Sequence, residues 1–160
     1  MVAGRILVVD DDDSSRVALN DCFSGIGYEV VEAGDGEDAL RKFVPGKFDC
    51  IISDLFMPGM DGIELLKRIR LLDDDVVYLI ITGFPGIDSA ISAMKEGAYD
   101  YLIKPFHIED IQLKIERALN IRKTEMSLKK VKGLILTLII LIPVLISLGI
   151  IFGILWKGEG

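Results

Sequence analysis

Asp49-Cys50-Ile51-Ile52-Ser53-Asp54-Leu55-Phe56-Met57-Pro58-Gly59-Met60-Asp61-Gly62 is a short apolar run that ends in a carboxylate and passes directly into a Pro/Gly-rich loop. An apolar core this short, bounded by turn formers, reads as a buried strand of a parallel sheet. Ligands of open α/β sheets sit just beyond the carboxyl ends of such strands, which is where Asp54 falls. Taken alone, Asp54 is read equally well as an aspartate that caps the loop. The rest of the chain decides between the two.

Four other runs share the pattern. Arg5 to Val9 is apolar after one charge and ends in Asp10-Asp11-Asp12-Asp13; Tyr28 to Ala33 ends at Gly34-Asp35-Gly36. Val76 to Ile81 ends in Thr82-Gly83, and Tyr101 to Ile103 in Lys104-Pro105. Between them lie helical periodicities. The first is capped by Asp13 or Ser14, with Val17, Ala18, Phe23 and Ile26 apolar, and a short second helix turns Ala39, Leu40 and Phe43 inward. The third is capped by Asp61, with Ile63, Leu66 and Ile69 buried. The fourth, from about Gly86 to Glu96, is expected to bury Ile87, Ala90, Ile91 and Met94. The last starts near Ile108 and carries Ile111, Ile115, Ala118 and Leu119 on one side. Asp73-Asp74-Asp75 reads as a solvated loop. Five strands alternating with five helices give a doubly wound α/β fold with a five-stranded parallel sheet.

Strand ends of a parallel sheet share one edge, so Asp10, Asp11, Asp54, Thr82 and Lys104 should converge there. Three carboxylates packed together repel and resist ionisation unless a cation joins them. A hard divalent ion resolves the conflict, and Mg²⁺ is the usual one where few protein oxygens share the shell with waters and a phosphoryl group. A carboxylate can then attack a phosphoryl donor while Thr82 and Lys104 neutralise charge on the transferred group. Singly, Lys104 could be a plain salt bridge and Thr82 a strand-end hydroxyl; five such residues at successive strand ends argue for one site.

Residues 5 to 120 resemble the receiver domain of two-component response regulators. The residues that carry the likeness are Val8-Val9-Asp10-Asp11, Asp54 with Met57-Pro58-Gly59-Met60-Asp61-Gly62, Thr82-Gly83, and Gly97-Ala98-Tyr99-Asp100-Tyr101-Leu102-Ile103-Lys104-Pro105-Phe106. The resemblance implies a flavodoxin-like sheet of order 2-1-3-4-5 and phosphorylation of Asp54 by a histidine kinase or a histidine phosphotransfer protein. It implies that Asp11 and Asp54 ligate Mg²⁺ directly, Asp10 largely through water, and that the Phe56 carbonyl completes the protein ligands. Thr82 and Tyr101 are the implied switch pair, the Lys104-Pro105 bond is implied to be cis, and a homodimer through the fourth helix, fifth strand and fifth helix is an expected consequence. The aromatic pair Phe56 and Phe84 departs from the commoner pattern and bears on the dephosphorylation rate. His107, the single histidine, reads as a solvated helix-start residue.

Charge and hydropathy divide the chain. Residues 1 to 120 hold 12 Lys and Arg against 23 Asp and Glu, a net of -11, which argues against direct nucleic-acid binding. Residues 121 to 133 form a basic linker of Arg122, Lys123, Lys129, Lys130 and Lys132 against Glu125. Leu134 to Trp156 follow without a charge, and 17 of these 23 residues are Leu, Ile, Val or Phe. At about 1.5 Å per residue they span a hydrocarbon core of about 30 Å. Their insertion sums to about -5 to -10 kcal/mol before Pro143, Ser147 and the glycines subtract. One C-terminal transmembrane helix is therefore expected, in contact with membrane lipid. The basic linker places the receiver on the cytoplasmic side of a prokaryotic inner membrane, with a short external tail at 157–160. Cys22 and Cys50 lack metal-ligand spacing and read as free thiols.

The function expected is that of a membrane-anchored single-domain response regulator, a signalling protein rather than an enzyme, with the membrane standing where an output domain would be. Two alternatives differ in class. A haloacid-dehalogenase-like phosphatase would need a second aspartate two residues after the nucleophile, where Phe56 stands. A pseudo-receiver scaffold that takes no phosphoryl group is opposed by the intact acidic site.

Overall fold

The computed structural model describes residues 4–157, apart from the side chains of 123, 125–127, 129, 130 and 147–157. In order, the elements are β1 (Gly4–Val9), α1 (Asp13–Gly25), β2 (Tyr28–Ala33), α2 (Gly36–Lys42), β3 (Cys50–Asp54), α3 (Gly62–Leu72), β4 (Val77–Thr82), α4 (Ile87–Lys95), β5 (Asp100–Ile103) and α5 (Ile108–Lys157). The strands form one sheet of order β2-β1-β3-β4-β5, every pair parallel. Crossover helices cover both of its faces, which is why β3 and β4 read as nearly continuous apolar runs rather than alternating ones. On one face Leu7, Val9, Ile51, Tyr78 and Ile80 pack with Ala39, Phe43, Leu65, Leu66, Ile69 and Ala93 from α2, α3 and α4 and their flanks. On the other, Ile6, Val8, Ile52, Leu79 and Ile81 pack with Leu19 and Phe23 of α1 and Ile111, Ile115, Ala118 and Leu119 of α5. This is the flavodoxin-like order expected.

Several sequence expectations need correcting. Asp12, not Asp13 or Ser14, caps α1, accepting from the Ser14 N–H. Leu19 and Phe23 are that helix's buried residues, while Val17, Ala18 and Ile26 are exposed. In α3, Leu65 joins Leu66 and Ile69 in the core, with Ile63 at its margin. The apolar stripe of α4 faces outward: Ile87, Ile91 and Met94 are 81%, 49% and 51% exposed, and Ala93 is the buried residue of this helix. Asp73 is no mere solvated loop residue, since its carboxylate accepts from the N–H groups of Gly46, Asp75 and Val76 and ties two turns together. The expected cap Asp61 does receive the Ile63 and Glu64 N–H groups.

The chain divides into two units, Met1–Leu119 and Asn120–Gly160. In the second, the basic stretch and the apolar stretch belong to one continuous helix that contains Pro143. Among the described residues no helix is long and apolar enough to cross a membrane. The described side chains of the expected span, 134–146, number 13, of which 11 are Leu, Ile or Val, short of the roughly 20 residues that a bilayer core requires. The remaining positions, 147–156, lie outside the described side chains, and residues 158–160 of the expected tail lie outside the described residues.

Candidate functional site

Asp54 is the last residue of β3 and Thr82 the last of β4; Asp10 and Lys104 are the first residues after β1 and β5. The shared register of the parallel strands brings these four to one sheet edge. The centre is the Lys104 ammonium, with its Nζ 2.8 Å from Asp10 Oδ2 and 3.0 Å from Asp54 Oδ1. Asp10 is buried, 3% exposed. It accepts in addition from Ser15 Oγ at 2.7 Å and from the Asp12 N–H at 3.0 Å, so both of its oxygens are engaged. Asp54 Oδ2 accepts from the Phe56 N–H at 3.0 Å.

Local structure explains why Asp54 arrives in this setting. After Leu55 the chain reverses through Gly59, whose φ of +81° suits glycine, and returns so that the Gly62 N–H donates to the Leu55 carbonyl. A Cβ on Gly62 would stand 2.3 Å from the Asp54 carbonyl oxygen, so only glycine lets the start of α3 lie this close to the acceptor strand. The buried Tyr78 hydroxyl donates to the Gly62 carbonyl from β4 and fixes that approach.

Burial pushes the Asp54 carboxyl above its ordinary range, and the like charge of Asp10 adds to this; the hydrogen bond and charge of Lys104 oppose it without cancelling it. For Lys104, burial works against the ammonium, but its hydrogen bonds to Asp10 and Asp54 outweigh that and hold its pKa above the usual value. The two carboxylates thus share one cation, and the site keeps an excess of negative charge.

Thr82 is fully buried, with its hydroxyl oxygen accepting from the Phe84 N–H at 3.1 Å and its carbonyl accepting from the Lys104 N–H at 2.8 Å. Tyr101 is partly buried, and its hydroxyl shares a hydrogen bond with Ser89 Oγ of α4 at 3.0 Å. The Lys104-Pro105 bond is cis. His107 is exposed at the start of α5, and its carbonyl accepts from the Asp110 N–H. Cys22 and Cys50 are free thiols.

The carboxylate cluster is smaller than the sequence suggests. Asp11 is exposed, and among the described residues no group of three His, Cys, Asp or Glu side chains is arranged to hold a metal ion. The donors that do converge, Asp10 and Asp54, are hard oxygens with unbalanced charge, chemistry that suits Mg²⁺. Ser15 and Ser89 join the site through contacts that the sequence alone does not mark. Ser15 lies on the first turn of α1, five residues after Asp10, and that proximity to the acidic run was the available signal.

Residues 6–116 match the family described as response regulator receiver domain. The chain belongs to this family. The receiver is 43% identical over 114 residues to the transcriptional regulatory protein ZraR of Klebsiella oxytoca, an alignment of 71% of this chain and 26% of that protein. To the DNA-binding transcriptional regulator NtrC of Escherichia coli K12 it is 38% identical over 120 residues, 75% of this chain and 26% of that one. The crystal structure of a response regulator receiver domain protein from Clostridium thermocellum aligns with a TM-score of 0.72 at 33% identity, over 76% of this chain and 98% of that chain. The chain spans about a quarter of the length of the curated relatives it matches. Membership implies a histidine kinase as partner, and a receiver is not a conventional enzyme. Receivers typically bind Mg²⁺.

Proposed function

We propose that Asp54 accepts a phosphoryl group from the phosphohistidine of a histidine kinase or a histidine phosphotransfer protein, and that the protein signals through changed protein–protein contacts. The observation that carries this is the Lys104 ammonium held between Asp10 and Asp54 at the carboxyl edge of the sheet. An Asp54 oxygen attacks phosphorus, the P–N bond to the donor imidazole breaks, and an acyl phosphate forms on Asp54. Lys104 exchanges its contact with the carboxylate for one with a phosphoryl oxygen. The Thr82 hydroxyl, an acceptor from the Phe84 N–H, donates to another. Asp10, Asp11, Asp54 and the Phe56 carbonyl are the groups that would hold Mg²⁺, which supplies further neutralisation of the transferred group when bound.

Movement of Thr82 would free space beside Tyr101, which the Ser89 hydroxyl holds against α4. The surface of α4, β5 and α5 is then the face to change, and Ile87, Ile91 and Met94 of α4 with Ile103 of β5 stand exposed on those elements. A homodimer through this face follows. Incubation with a labelled small acyl phosphate and Mg²⁺ should give one acid-stable, base-labile phosphoryl group and a shift toward dimer in sedimentation. Stoichiometric labelling of Asp54→Ala would sink the acceptor assignment, and an unshifted mass on full labelling would remove the dimer.

We further propose the partition of the chain into a receiver at 1–120, a basic juxtamembrane linker at 121–133, a membrane span at 134–156 and an external tail. The receiver would face the cytoplasm at a prokaryotic inner membrane. The run of 23 uncharged residues behind a basic stretch supports this reading.

A further inference from the structure

Asp10 is buried, whereas Asp54 is only partly so. A carboxylate that water cannot reach depends on the protein for its hydrogen-bond donors. The Asp12 N–H donates to Asp10 Oδ1 at 3.0 Å, while Oδ2 accepts from Ser15 Oγ at 2.7 Å and from Lys104 Nζ at 2.8 Å. Lys104 Nζ also lies 3.3 Å from Ser15 Oγ. A serine hydroxyl carries one proton and two lone pairs, so Ser15 can donate to Asp10 and accept from Lys104 at once, which closes a triangle of the three side chains. They come from the end of β1, the first turn of α1 and the end of β5. Their permanence differs. Ser15 is fixed by its helix, whereas the Lys104 ammonium is carried on a flexible stem and is shared with Asp54 at 3.0 Å.

The function proposed above asks Lys104 to leave. When its ammonium turns to a phosphoryl oxygen, Asp10 Oδ2 gives up a charged partner in a place that water cannot refill, and Ser15 is the side-chain donor that stays. A divalent cation makes the same demand earlier, because its charge repels the ammonium beside it. We propose that Ser15 is a positioning residue for the metal site: its hydroxyl fixes the Asp10 carboxylate independently of Lys104, so that Asp10 is held in place for Mg²⁺ while Lys104 moves. This rests on Asp10 and Asp54 being metal-site residues. Without the hydroxyl, Lys104 would be the sole side-chain donor to Oδ2, and the two would hold each other more tightly against an incoming metal. An opposite effect exists, since a donor to Oδ2 draws some charge from the oxygen. It is the smaller of the two: the carboxylate keeps its formal charge either way, whereas groups that orient metal ligands are worth about 10- to 100-fold in affinity.

The test is Mg²⁺ binding by the full chain in detergent, followed by titration calorimetry and by the rise in the receiver's melting temperature as Mg²⁺ is added. Ser15→Ala should bind Mg²⁺ about tenfold more weakly or worse. Ser15→Thr keeps the hydroxyl and should stay close to the unsubstituted protein, while Ser15→Val, of the same shape without the hydroxyl, should match Ser15→Ala. Ser14→Ala, at the exposed neighbouring position, should bind as the unsubstituted protein does. An affinity in Ser15→Ala and Ser15→Val equal to or tighter than that of the unsubstituted protein overturns the proposal, since the hydroxyl would then merely occupy Asp10. So does a loss shared equally by the Thr and Val variants, which would trace to packing at the start of α1 instead of to the hydroxyl. Absence of Mg²⁺ binding in the unsubstituted protein overturns the metal reading itself, and the role of Ser15 with it.

Discussion

Isoleucine and leucine do opposite things in the two units of this chain. Up to Leu119, residues such as Ile6, Leu7, Ile51, Ile52 and Leu65 have essentially no exposure, because a sheet with helices on both faces gives each one partners. From Leu134 to Ile146 the same residue types are 44–62% exposed along a single helix. The hydrophobic effect sets no preference for protein over any other apolar surrounding; it requires only removal from water. In the core of the first unit the fold meets that requirement, although Leu71 and Ile87 stay exposed on its surface. In the second the described structure does not, and the proposed bilayer would.

The sharpest way to break this comparison is to remove the second unit's claim on lipid. Deletion of residues 133–160 should move the protein completely from the membrane fraction to the soluble one, while the intact chain should resist alkaline carbonate. Extraction of the intact chain by carbonate would leave its exposed apolar side chains to a protein partner instead.

Point substitutions sharpen the contrast on a smaller scale. Leu65→Ala opens a cavity in a packed core and should cost about 2 to 5 kcal/mol in denaturant unfolding of the receiver. Leu138→Ala, at a 44% exposed position, should change the same measurement by no more than about 0.5 kcal/mol. Equal costs would mean that the second unit has a packed core of its own.

What could be read from the sequence follows the same division. Asp10, Asp54, Thr82 and Lys104 were legible because parallel strands end at a common edge, so that a linear pattern of strand-end residues becomes a spatial cluster without any knowledge of side-chain geometry. Asp11 shows the limit of that logic: it adjoins Asp10 in the chain but is exposed where Asp10 is buried, a difference that strand-end position alone does not give. The stripe on α4 faces opposite to the expectation for a related reason. Periodicity shows that Ile87, Ile91 and Met94 share a face but not which way the face turns, and α4 packs inward through the small Ala93. Ser89, on the same helix, became visible only through its bond to Tyr101. The 134–156 stretch was legible as hydropathy alone, since an apolar run states a need for burial without naming what meets it.

The smallest expected effect concerns Asp54 itself, a partly buried group of the first unit whose charge burial disfavours. Burial, reinforced by Asp10, raises its folded pKa above the ordinary 3.8 despite Lys104. As pH rises from 3.8, the unfolded chain gives up this proton first while the folded chain still holds it. Over that window the folded state binds more protons, so this residue's contribution to stability falls as pH rises and stays lowered above the folded pKa. Asp54→Asn removes the titration and leaves Lys104 paired with Asp10. The variant should therefore melt close to the unsubstituted receiver at pH 3, and a few degrees above it at pH 7, where small changes in free energy translate into shifts of that size. It should take no label at either pH. A variant that melts lower at pH 7 than at pH 3, relative to the unsubstituted receiver, would mean that Lys104 stabilises the Asp54 carboxylate more than burial and Asp10 oppose it. The Asp54 carboxylate would then be a settled ion pair with Lys104 rather than a group whose charge burial disfavours.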